Sequence, residues 1–131
     1  RSVSFRSAAG RCVPSSPRRA IGRRMSSNVR AGQIAVIFTS HRTIDDDAGY
    51  AAAAEAMGAL AATQPGYCGI VSTRGADGFG ITISYWQDEA SARAWRDHPD
   101  HAPIRAQGRA DWYRDYEIVV ARVERDYRWQ R

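Results

Sequence analysis

The chain has no lysine at all: its nineteen basic residues are all arginine. An all-arginine set reads as codon bias more than as selection for bidentate phosphate contacts. It also holds only two cysteines, Cys12 and Cys68. Two such positions, one in an arginine-rich leader and one in a predicted strand, set no disulfide framework and no metal-ligand spacing. A reducing cytoplasm is the expected compartment. No run of about 18 apolar residues occurs, which excludes a membrane-spanning helix. Acidic residues are missing from the first thirty positions, which carry eight arginines. Residues 31 to 131 carry eleven arginines against fourteen acids, a net of about −3. The formal charge of +5 therefore comes from the leader, and the remainder gives no nucleic-acid signal.

Residues 1–31, rich in Arg, Ser, Gly and Pro, show no apolar periodicity and are expected to be disordered. Three readings fit them: upstream read-through with Met25 as the natural start, an organelle-targeting segment, or a basic arm. Residues 32–131 read as one domain. At 44% hydrophobic and 25% charged over 131 residues, the chain can fold around a single core.

Gln33 to Arg42 is dense in β-branched and aromatic residues, with Ile34, Val36 and Phe38 on one face and Ala35 and Ile37 on the other. Asp45, Asp46 and Asp47 then supply an N-cap and first-turn acids for a helix to about Thr63, with a narrow stripe of Tyr50, Met57, Leu60 and Ala61. Gln64, Pro65 and Gly66 stop it. Tyr67 to Arg74 and Phe79 to Trp86 form a hairpin across a glycine-containing turn. Asp88 and Glu89 open a second helix, broken near Pro99. A helical piece from His101 to Gln107 follows, and Tyr116 to Tyr127 is the predicted last strand. The order is βαββαβ, an α+β ferredoxin-like unit with a four-stranded antiparallel sheet and helices on one face. The first strand is apolar on both faces, so the uncovered face needs a cover. A second copy, sheet to sheet in two-fold symmetry, supplies it.

The cadence Gln64, Pro65, Gly66, Tyr67, then Gly78, Phe79, Gly80, Ile81, then Ser84, Tyr85, Trp86, then Trp95, His101, Gly108, Arg109, Trp112 and Tyr113 resembles the antibiotic biosynthesis monooxygenase-like family. The resemblance spans about 95 residues and leaves out the leader. It implies a dimeric α+β barrel and, if the chain is catalytic, oxygen insertion into a small aromatic or phenolic molecule without metal or other cofactor. His101 would then be the base and Trp95 a wall of the site. Ser40, Phe38, Trp86, Arg105 and Tyr113 would contact the substrate. The same scaffold also carries small-ligand-binding or stress-related dimers without catalysis. A third reading is haem capture or degradation, whose family pattern pairs a first-strand Asn with a Trp and a His ten residues later. Trp95 fits, but Arg105 stands where the His should be, and the strand offers Thr39 and Ser40.

Other residues admit plainer readings. Two histidines and two acids in Asp97 to His101 suggest a metal, yet Pro99 makes the segment a helix break and a hydrated turn explains it equally. The tryptophans and tyrosines are as readily core as cavity wall. Arg105 and Arg109 are as readily solvent-facing as substrate-binding. Tyr116 and Tyr127 are expected at the dimer interface. No nucleic-acid or membrane partner is expected.

Overall fold

The computed structural model describes the backbone of Val3–Arg6 and residues 29–131 in full. Five strands form one antiparallel sheet, β1 (Val3–Arg6), β2 (Ile34–Arg42), β3 (Tyr67–Arg74), β4 (Phe79–Trp86) and β5 (Tyr113–Arg122), in the order β1-β3-β4-β2-β5. Three helices, α1 (Asp47–Ala62), α2 (Glu89–Arg96) and α3 (His101–Gln107), cover one face. The last four strands and the helices make the expected α+β ferredoxin-like unit. β1, drawn from the leader, adds an edge strand that composition did not foretell. Residues 29–31, also expected to be disordered, are held to the domain as well, the Arg30 amide donating to Asp126 Oδ1 at 3.0 Å and its guanidinium lying 3.6 Å over the Tyr85 ring. The other leader residues lie outside the described residues.

Local chemistry sets each boundary. Asp46 caps α1 from the left-handed region, φ 53°, and its Oδ1 accepts from the Gly49 amide at 3.1 Å. A Cβ at Gly49 would meet that carboxylate at 2.0 Å, so the cap needs glycine there. Gly66 leaves the helix end at φ 82°. Asp88 caps α2 by accepting from the Ser91 amide at 2.8 Å, a bond that holds its carboxyl below the usual carboxylate range.

Two expectations need correction. β5 starts at Tyr113, three residues before the predicted Tyr116, and ends at Arg122, because α3 is followed directly by a π-helical turn, Gly108–Trp112. Propensity does not reveal a π-turn, whose wider ring simply accommodates one more residue per turn. Cys68, read as part of no disulfide framework, is buried and disulfide-bonded.

α1 packs on β3, and α2 on β4 and β2. The core between them is small: Ile34, Ala61, Tyr67, Trp86 and Ala92, flanked by Val36, Ile70 and Trp95. The register puts Ile37 opposite Ile83 and Val119, and Ile83 opposite Val71, all on the face without helices. Val71 and Val119 there are 47% and 43% exposed. The second apolar face of β2 is therefore real, and the single chain leaves much of it open to water.

Candidate functional site

On the helix side the register aligns Val36 with Val120, Phe38 with Ile118 and Ser40 with Tyr116. Packing of α1 and α2 over the other strands leaves this side of β5 open, with Tyr116, Ile118 and Val120 at 36%, 50% and 58% exposure. The result is an apolar trough floored by β2 and β5. The expected site residues gather at its two ends, separated by about 13 Å, the four-residue rise from Val36 to Ser40 along a strand.

At the Val36 end is an aromatic stack. Trp86 is completely buried, and its Nε1 donates to Ser84 Oγ at 3.0 Å. Trp95 stacks on it with centroids 6.0 Å apart, and His101 stacks on Trp95 at 4.8 Å. Trp86 thus has no surface to give a substrate and serves as the base on which Trp95 rests. His101 Nδ1 lies 3.3 Å from the Trp95 carbonyl oxygen. A carbonyl can only accept, so the neutral ring carries its proton on Nδ1 and keeps the Nε2 lone pair. Burial lowers the His101 pKa, as do nearby Arg105 and His98, against the hydrogen bond to the Trp95 carbonyl, which raises it. The imidazole is neutral at pH 7, which suits a base. Arg105, one turn further along α3, is half-buried.

At the Ser40 end, Phe38 meets Tyr113 edge-on at 5.3 Å and Tyr116 at 5.5 Å. Tyr116 faces this side, not the uncovered sheet face as expected, and its hydroxyl accepts from Arg109 Nε at 2.7 Å. Tyr127, also expected at the interface, lies beyond β5 and is 74% exposed. Behind these rings is a network that the sequence did not announce. Arg74 Nη2 donates to Ser40 Oγ at 2.8 Å and to the Tyr50 hydroxyl at 3.3 Å, while Nη1 donates to the carbonyls of Ser40 and Gly78. Arg42 lies over the Tyr50 ring at 3.8 Å. Tyr113 crosses Tyr50 at 5.9 Å, and burial, then the Tyr50 hydroxyl, raises its pKa above the ordinary tyrosine value. Trp112 Nε1 donates to the cap residue Asp46 at 3.1 Å, fixing the π-turn against α1. The available signal was Gly80, inside β4 one residue from its start, where a glycine marks a close approach of another group.

Among the described residues no cluster of three or more His, Cys, Asp or Glu side chains could hold a metal ion, and no helix is long and apolar enough to cross a membrane. His98 of the Asp97 to His101 segment instead accepts from the Asp100 amide through Nδ1 at 3.1 Å, as a turn residue does.

The antibiotic biosynthesis monooxygenase family matches residues 34–107, from β2 to the end of α3. The chain belongs to that family. It is 45% identical over 96 residues to the uncharacterized protein YqjZ of Bacillus subtilis, covering 73% of this chain and 83% of that protein. Among solved structures it resembles SnoaB, a cofactor-independent oxygenase from Streptomyces nogalater, at 19% identity and a TM-score of 0.61, covering 71% of this chain and 94% of SnoaB. Rv0793 from Mycobacterium tuberculosis is similar at 19% identity and TM-score 0.61, covering 68% and 92%. At these identities the two structures support the fold alone.

Proposed function

We propose that the chain is a cofactor-independent monooxygenase of a small aromatic or phenolic molecule, with His101 as base and Trp95 as the wall beside it. The observation that carries this reading is the neutral imidazole, oriented by the Trp95 carbonyl so that Nε2 keeps its lone pair, at one end of an aromatic-lined trough. Membership in a monooxygenase family supplies the reaction class. The base takes the phenolic proton, and the electron-rich ring carbon para to the oxyanion forms a C–O bond with dioxygen. Proton transfer gives a hydroperoxide. Loss of the C–H proton and cleavage of the O–O bond then leave a quinone carbonyl and one water, all electrons having come from the substrate. The protein's part is to bind, orient and deprotonate.

Phenols and naphthols selected by thermal shift should show saturable uptake of about one dioxygen per molecule turned over at an oxygen electrode. Ligands that bind without uptake would leave a binding protein on the same scaffold and end the oxygenase reading.

The working unit we propose is a homodimer joined through the uncovered sheet face. Val71, Ile37, Ile83 and Val119 line up there across four strands, and a single chain leaves this face partly open. Light scattering at micromolar concentration should return twice the 14.5 kDa chain mass. Val119→Glu, placing a charge in the middle of that face, should shift the mass toward the monomer. A wild-type monomer would sink the proposal.

A further inference from the structure

We propose that Arg74, Tyr50 and Tyr113 form an oxyanion anchor at the Ser40 end of the trough, and that a planar aromatic ligand binds there as its phenolate or enolate. The ligand class rests on the oxygenase reading, whereas the anchor rests on geometry. Arg74 is half-buried, and among the described residues no carboxylate lies within 4 Å of its guanidinium. All four of its Nη contacts are neutral oxygens: two carbonyls and the hydroxyls of Ser40 and Tyr50. Its neighbour Arg42, by contrast, pairs with Asp47 at 3.2 Å. An uncompensated charge under aromatic rings costs desolvation, and an incoming anion repays it.

The fold holds that charge in place. The guanidinium lies flat on Gly80, where a Cβ would stand 2.5 Å from Cζ. It therefore crosses from β3 over β4 to β2, where its bonds to Ser40, Gly78 and Tyr50 hold it. Each hydroxyl that accepts from Arg74 must aim its own proton elsewhere. For Tyr50 that direction includes Tyr113, whose ring borders the trough beside Phe38 and Tyr116. The tyrosine hydroxyls become donors polarised by a fixed cation, the arrangement that stabilises developing negative charge on oxygen. Phe38, Tyr113 and Tyr116 supply the flat surface for the ring that bears it.

The test compares 4-nitrophenol, at a pH where it is ionised, with 4-nitroanisole, its neutral ether, by equilibrium titration of the full chain. The wild type should favour the phenolate by about tenfold or more. Arg74→Met and Tyr113→Phe should bring the two probes to parity with ether affinity kept, and Arg74→Lys should retain part of the preference. Equal affinities in the wild type, no binding of either probe, or full preference in Arg74→Met would overturn the anchor. If Arg74→Met does not fold, Tyr113→Phe decides, because it removes one oxygen from a partly exposed ring. Preference for the phenolate without oxygen uptake would overturn the oxygenase reading and leave the anchor standing. Uptake without that preference would do the reverse.

Discussion

Replacing Trp86 with alanine should cost about 3–5 kcal/mol and lower the melting midpoint by more than about 10 °C, the largest effect on stability expected of any single substitution here. Trp86 is completely buried at the end of β4, in register with Ile34 of β2 and Tyr67 of β3. Its ring meets Tyr67 edge-on at 5.8 Å and Trp95 face-on at 6.0 Å, so its removal opens a cavity bordered by both layers. The core has few other large members, and small domains have only about 5–15 kcal/mol to lose. Trp86→Phe should cost less, because most of the contact area survives while Ser84 loses the indole donor. Thermal denaturation followed by circular dichroism checks both. If the alanine variant melted within a few degrees of wild type, the core would not be centred where the packing puts it. The same substitution removes the platform under Trp95, so a stable Trp86→Phe variant with weakened ligand binding would show the stack acting at a distance.

Strand and helix order was legible because each element carries its own signal. Alternation marked β4, the Gly66 break ended α1, and two apolar faces on β2 foretold an uncovered sheet side. Pairing of distant residues was not legible. Arg74 reads as the end of a strand and Tyr50 as one more apolar position on a helix; 24 residues part them, and only the crossing of α1 over β3 joins them. Gly80 carried the hint, since a glycine within a strand asks what lies against it. The start of β5 was misplaced because Trp112 and Tyr113 look equally suited to helix or strand, and the π-turn that divides them has no local sequence rule. Tyr116 takes the helix side because it pairs with Ser40, a partner that the strand's own sequence does not name. In a strand the side is fixed by register, and register followed from where pairing with Arg42 began. The nearness of His101 to Trp95 was legible by resemblance, whereas the Arg74 end had to be seen folded.

His101→Gln should reduce oxygen uptake by about a hundredfold or more, with little change in ligand affinity, because it removes a base but leaves Trp95 and the Ser40 end intact. The pH dependence is the sharper reading. Burial comes first among the causes that lower the His101 pKa from 6.5, so the free protein's base stays unprotonated through neutrality, and the acid limb of kcat/KM should fall below pH 6.5. Stability should follow the same group. Below pH 6.5 the unfolded chain takes up a proton on this imidazole while the folded chain resists it, so the protein loses stability as pH falls from 6.5 through the folded value. Above 6.5 this contribution is complete and flat. Wild type and His101→Gln, compared by oxygen uptake and by melting midpoint from pH 5 to pH 8, separate the two effects. The variant should lose the acid limb in the residual rate and this part of the acid destabilisation together. A limb that survives unchanged in His101→Gln, or a wild-type limb centred above 6.5, would take the base role away from His101 and require another group to accept the substrate's proton.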